Sequence, residues 1–195
     1  FSNHVPPYKT STSMCCSPHG NMGLFYAWDG ALRYEDGVAQ INLLLNRASP
    51  WMDIDSYLPY EGKVVLKNKT AREAFVRIPL WVDRKAVRGT VDGQDVPNVW
   101  FGNYLRFTGL TPKDTVTISF PVAEWTEKWT VPNLGWPGPA QQVHACRFRG
   151  NTLVEITPPL MAGSPLYQRR PEKYQARQAP MKKVTRFVST LALKW

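Results

Sequence analysis

Cysteine and histidine are scarce, with three of each in 195 residues. Three thiols, two of them adjacent at Cys15 and Cys16, cannot build a disulfide framework. Neighbouring cysteines rarely bridge each other, because the intervening peptide would be strained. No apolar run approaches the roughly 18–20 residues of a membrane-spanning helix, so no membrane partner is expected. Internal repeats, heptads and low-complexity tracts are missing too. The chain opens on Phe1 with text that reads as mid-domain, so the lack of a charged-then-apolar leader decides nothing about compartment. Cytoplasmic and periplasmic locations both stay open.

What is present points to a folded, strand-rich chain. Hydrophobic residues make up 43% and aromatics 12%, enough to fill a core and to exclude global disorder. The 17 prolines and 13 glycines separate short apolar runs, which favours many short strands over long helices. The net charge of +9 is concentrated at one end: residues 161–195 carry eight basic side chains against the single acid Glu172. Interspersed with them are Leu166, Tyr167, Tyr174, Val184, Phe187, Val188, Leu191, Leu193 and Trp195, and no nucleic-acid fold signature accompanies them. Such a tail is expected to dock on an acidic face of its own protein, with no nucleic-acid partner.

One helix is expected, over residues 18–34. Ser17-Pro18 offers a cap and a first-turn proline; Leu24, Phe25, Trp28 and Leu32 recur at helical spacing, and Gly37 follows as a stop. From Val38 the period changes to two. Strands are expected over residues 38–45, 52–57, 63–68, 74–80, 89–91, 104–108 and 115–120, with a later pair over 143–149 and 152–157 joined at Gly150-Asn151. Val116, Ile118 and Phe120 alternate with Thr115, Thr117 and Ser119, the mark of a strand with one buried and one wet face. Asp92-Gly93, Gly102-Asn103 and Pro112-Lys113-Asp114 supply the turns. Short strands at this spacing form a β-sandwich.

The chemistry-bearing stretch is Met14-Cys15-Cys16-Ser17-Pro18-His19-Gly20-Asn21, directly ahead of the helix. A thiol at a helix N-terminus faces unpaired N–H groups and the positive end of the macrodipole, which favour the thiolate; a coordinated zinc would favour it more. Two blander readings stand beside this one. The cysteines can be small buried apolar residues, or Cys16 and His19 can form a local zinc site with His4 or Cys15. Elsewhere, Cys146 and His144 in a strand read as core, or surface for His144, and Asp53 and Asp55 read as solvated. Trp125, Trp129 and Trp136 read as packing residues, with a sugar-stacking platform as the alternative.

From Cys15 to Val131 the chain resembles the C-terminal half of the β-L-arabinofuranosidase family of glycoside hydrolases (family 127 and its relatives). The resemblance runs through Cys15-Cys16, Asn21 and Gly23-Leu24-Phe25-Tyr26-Ala27-Trp28, then through residues 41–51. It is strongest in Val76-Arg77-Ile78-Pro79-Leu80-Trp81-Val82, Val91-Asp92-Gly93 and Gly102-Asn103-Tyr104-Leu105-Arg106-Phe107. Cys16 stands further from Asn21 than the family's pattern has it.

This resemblance implies a mainly β chain: a β-sandwich preceded by the last helix of a truncated (α/α) six-hairpin barrel. Residues 1–36 would close the barrel, 37–131 form the sandwich, and 132–195 add a strand pair and the basic tail. Cys15 would be the catalytic nucleophile and, with Cys16, a zinc ligand, in an incomplete zinc site whose other ligands and glutamate acid/base lie upstream of Phe1. His19 and Asn21 are candidate substrate contacts. The implied activity is a retaining glycoside hydrolase acting on a small oligosaccharide or a substrate derived from plant polysaccharide. The isolated chain is expected to be inactive. The other reading of the residues is a non-catalytic carbohydrate-binding or dimerisation module, forming a homodimer through the sandwich.

Overall fold

Two-residue alternation organises most of the chain. The computed structural model describes residues 16–132, 141–159 and 176–182. A single α-helix, α1 (Cys16–Asp29), is followed among the described residues by thirteen strands in three sheets. No helix among the described residues is long and apolar enough to cross a membrane.

The first sheet runs in the order β1-β2-β5-β9-β8, from β1 (Leu32–Glu35), β2 (Val38–Ile41), β5 (Glu73–Arg77), β8 (Val99–Phe101) and β9 (Tyr104–Thr108). The second runs β3-β4-β10-β6-β7, from β3 (Met52–Ser56), β4 (Lys63–Asn68), β6 (Arg88–Val91), β7 (Gln94–Val96) and β10 (Thr115–Ser119). All neighbours in both are antiparallel except β2 and β5. Alternate residues of both sheets meet in one core: Ile41, Val76, Leu105 and Phe107 from the first, Ile54, Leu66, Val116 and Ile118 from the second. The chain is mainly β, and these two sheets form the expected sandwich. Each fully buried aliphatic side chain contributes about 1.5–3 kcal/mol relative to exposure.

Two-residue hairpins set the registers. At Asp92-Gly93 both residues have positive φ (49° and 80°), pairing Val91 with Gln94. This is the backbone twist that suits a tight hairpin. Asp36-Gly37 does the same between β1 and β2, with φ 48° and 83°.

That second hairpin corrects the expected helix over 18–34. The helix stops at Asp29, with the Gly30 N–H bonded back to the Tyr26 carbonyl at 2.8 Å. Leu32 is a core residue of β1 rather than part of a helical face, and Gly37 closes a hairpin instead of a helix. Leu32 continues the helical spacing of Leu24 and Trp28, but burial in the sandwich outweighs that weak local preference.

Similarly, the expected strand over 38–45 ends at Ile41, and residues 43–45 leave the sheet. The third sheet, β11 (Glu124–Pro132), β12 (Gln141–Arg149) and β13 (Thr152–Thr157), contains the expected hairpin at Gly150-Asn151 and adds β11 at its edge.

Candidate functional site

Helix α1 begins at Cys16; Cys15 precedes it in the sequence and lies outside the described residues. Ser17 and Pro18 are therefore inside the first turn rather than ahead of it. Proline is tolerated there because the first four N–H groups of a helix have no intrahelical partner. Those same groups, with the positive end of the dipole, favour an anion next to them. His19 is one helical turn beyond Cys16, and both His19 and Asn21 are exposed. Among the described residues no three His, Cys, Asp or Glu side chains come together as a metal site.

The opposite end of the helix is tied to the sandwich by residues that sequence reasoning missed. Arg47 donates from one guanidinium nitrogen to the Trp28 carbonyl and, at 2.6 Å, to the Asp29 carbonyl. Its guanidinium carbon stands 4.4 Å from the centre of the Trp28 ring, and a second nitrogen stands 3.7 Å from the Asp29 carboxylate. A cation here meets the negative end of the helix dipole as well as two orphan carbonyls. Burial lowers the Arg47 pKa from its ordinary value, with Asp29 opposing. Asn42 completes the seat: its Nδ2 donates to the Gly30 carbonyl at 2.8 Å, its own N–H bonds the Ala31 carbonyl at 2.8 Å, and its Oδ1 accepts from Tyr104 at 2.8 Å. The only hint in the sequence was that Asn42, Asn46 and Arg47 interrupt the apolar run 41–51.

Between those ends the helix presents its apolar side chains outward. Leu24 is 64% exposed, and Phe25, Tyr26 and Trp28 are about half exposed. The sandwich thus fixes the C-terminus of a helix whose first residue is Cys16.

Solved structures with the same arrangement of strands exist. A glycoside hydrolase superposes with a TM-score of 0.52 over 77% of this chain and 27% of its own, at 19% identity. The fold is shared with a glycoside hydrolase. A family-127 β-L-arabinofuranosidase from Geobacillus stearothermophilus T6 matches with a TM-score of 0.49 over 71% of this chain and 23% of its own, at 17% identity. A family-127 β-arabinofuranosidase matches at 0.45 over 62% of this chain and 22% of its own, at 16% identity. The chain therefore spans about a quarter of the length of the structures it matches. No protein-family model and no curated protein matches the sequence.

The remaining described candidate residues lie in the second and third sheets. Cys146 is buried in β12 as expected, and His144 is buried beside it with Nδ1 2.6 Å from the Pro158 carbonyl. Asp55 is buried and Asp53 partly so: Asp55 pairs across the second sheet with Lys67 at 2.6 Å, and Asp53 pairs with Lys69, just past the end of β4, at 2.8 Å. The short β3–β4 register, unreadable without the fold, brings them together. Trp125 stacks on Phe148 with ring centres 5.6 Å apart, and Trp129 tilts against the same ring at 5.7 Å. Both pack within the third sheet, while Trp136 lies outside the described residues.

Residues 176–182 return to the body of the protein. Arg149, 3% exposed, donates to Glu124 and to the Ala176 carbonyl; Arg177 bonds the same Glu124 carboxylate, and the Ala179 N–H bonds Glu61 at 2.9 Å. Desolvation raises the Glu124 pKa, but Arg149 and Arg177 together outweigh it and hold the carboxyl below the usual glutamate range. This described piece of the basic tail docks on acids of its own chain. The rest of the tail lies outside the described residues. Beneath the Gly150 turn, a cleft of about 540 Å³ separates the third sheet from Leu43, Leu45, Leu80 and Trp81 of the sandwich. None of the expected site residues lines it.

Proposed function

We propose that this chain is the C-terminal part of a retaining glycoside hydrolase acting on β-L-arabinofuranosides, with Cys15 as its nucleophile. The observation that carries the reading is the start of α1 at Cys16, the residue directly after Cys15 in the sequence, in a chain whose fold is shared with a glycoside hydrolase. The family resemblance of the paired cysteines and of residues 76–82 supports it. On this reading the helix is the last of a six-hairpin barrel, and its outward Leu24, Phe25, Tyr26 and Trp28 are the residues that barrel would cover.

The donor chemistry fits zinc in part. Two adjacent thiolates suit a metal that prefers sulfur, but they fill only two of the roughly four positions zinc uses. The others would come from chain outside these residues. When bound, zinc keeps the sulfur ionised near neutral pH. Cys15 sulfur then attacks the anomeric carbon as the bond to the departing oxygen breaks. A carboxylic acid from elsewhere in the enzyme gives that oxygen its proton. In the second half, the resulting carboxylate takes a proton from water, the water oxygen bonds the same carbon, and the carbon–sulfur bond breaks to restore the thiolate. Two inversions give net retention. Sulfur stands where one carboxylate of the usual pair would be.

Replacing Cys15 with serine in the full-length enzyme tests this. The turnover of an aryl β-L-arabinofuranoside is expected to fall by more than roughly a thousandfold, and Cys16→Ser is expected to lower zinc content. The 195 residues alone are expected to be inactive. Activity of Cys15→Ser within about tenfold of the parent would remove the basis of the proposal.

A further inference from the structure

The outer face of the first sheet carries a second grouping of side chains, which borders the seat of α1 where Tyr104 bonds Asn42. Two rows cross its strands in register. Arg33, Gln40, Phe75, Arg106 and Val99 form the first, over all five strands. Arg77, Tyr104 and Phe101 form the second, over β5, β9 and β8. Their inward neighbours Ala39, Val76 and Leu105 are core, so period-two geometry sends these residues outward. Phe101 is 72% exposed and meets Phe75 edge to face at 6.2 Å. Around the rings stand planar polar groups. Tyr104 accepts from Gln40 at 3.2 Å, and Arg106 is held by Glu73 at 2.8 and 3.0 Å. Arg33 and Arg77 are exposed and in no ion pair with a described residue.

We propose that this face binds an oligosaccharide that carries uronic acid. A sugar ring lays its C–H face on an exposed aromatic ring such as Phe101. Guanidinium and carboxamide groups present paired donors and acceptors to adjacent hydroxyls, and arginine matches a carboxylate with two parallel bonds. Adjacent strands lie about 4.8 Å apart, so Arg77 and Phe101 flank Tyr104 at a span of about 10 Å, the reach of a disaccharide. Charge selects the acidic sugar. Three arginines on the face exceed its two acids, Glu35 and Glu73, by one, which suits a sparsely charged chain. A backbone charged at every unit, as in a nucleic acid, would instead bring further anions against Glu35 and Glu73. The face does not include Cys15 or Cys16, so it goes beyond the proposed catalytic role and stands or falls separately.

Calorimetric titration of the full-length protein with a galactan oligosaccharide that carries a single uronic acid tests the inference. Binding is expected, with Phe101→Ala and Arg77→Gln each weakening it by roughly tenfold or more and leaving the melting temperature unchanged. Cys15→Ser and the combined tail variant Lys183→Gln, Arg186→Gln and Lys194→Gln should both bind as the parent does. No binding, equal binding of a neutral galactan oligosaccharide or of single-stranded RNA, or affinity lost with the tail charges but kept in Phe101→Ala would each overturn it.

Discussion

In these 195 residues on their own, replacing Arg47 with methionine should release α1 from the sandwich without unfolding the sandwich. The helix has 14 residues, near the length at which isolated helices are only marginal, and Gly20 and Gly23 each cost it about 1 kcal/mol relative to alanine. Every residue from Asn21 to Asp29 is exposed, so tertiary burial contributes little. What holds it is Arg47, whose side chain is only 10% exposed, together with Asn42. Charge-assisted hydrogen bonds contribute about 1.5–3 kcal/mol each and the ring contact about 0.5–1 kcal/mol. The desolvation that lowers the Arg47 pKa subtracts from that sum, and its Nε has no hydrogen-bond partner among the described residues. A net of about 2–4 kcal/mol follows. Methionine preserves the aliphatic stem, so the loss is of charge and hydrogen bonds. Native-state hydrogen exchange reads it directly, because at 1.4 kcal/mol per decade the Tyr26–Ala31 amides should lose protection by roughly thirty- to several-hundred-fold. Amides of β4 and β10 should not change. Protection of residues 26–31 altered by less than about threefold would show that something other than Arg47 holds the helix.

Three further outcomes follow from the same coordinates. Ile118→Ala removes a fully buried side chain between β4 and β6 and should cost about 2–5 kcal/mol in denaturant unfolding, with no change in helix exchange beyond the global effect. Gly150→Ala should destabilise by about 1–3 kcal/mol, because φ there is +54° and the added carbon would stand 2.8 Å from the Trp81 ring; an unchanged midpoint would contradict that packing. Glu124 is a carboxyl whose folded pKa is depressed, so its contribution is present above the unfolded value and fades as pH falls through the folded one. Proteolytic cleavage within residues 176–178 should therefore become faster on acidification relative to cleavage elsewhere, and Glu124→Gln should make it fast at neutral pH as well.

How much of this was legible before the structure depends on where each element finds its partners. β10 was readable because Thr115–Ser119 alternates cleanly and its core face depends on its own residues. β1 was not, since Leu32 extends the helical spacing and only pairing with β2 makes it a strand. β7 and β8, three residues each, are too short to show a period and exist through the hairpins at Asp92-Gly93 and Gly102-Asn103. The carboxylates Asp53 and Asp55 alternate like solvent-facing residues, and their lysine partners become visible only with the β3–β4 register. For the site, the paired cysteines and the presence of a helix after them could be read locally, but not its start, which is at Cys16 rather than at Pro18. The seat of that helix could not, because Arg47 reaches Trp28 from 19 residues away.

The basic tail shows the same division. Its charge and apolar content suggested docking on its own protein, and Arg177 on Glu124 with Ala179 on Glu61 is that docking for the described part. Glu124 recruits both Arg149 and Arg177, a grouping assembled from β11, β12 and the tail that no sequence spacing displays.

The central claim is that Cys15 sulfur becomes bonded to the sugar during turnover. Rapid acid quenching of the full-length enzyme with an aryl β-L-arabinofuranoside, followed by peptide mass mapping, tests it most directly. A pentosyl adduct on the peptide containing Cys15, absent from Cys15→Ser, is the expected result. An adduct on a carboxylate instead, with turnover surviving the loss of Cys15, would contradict it.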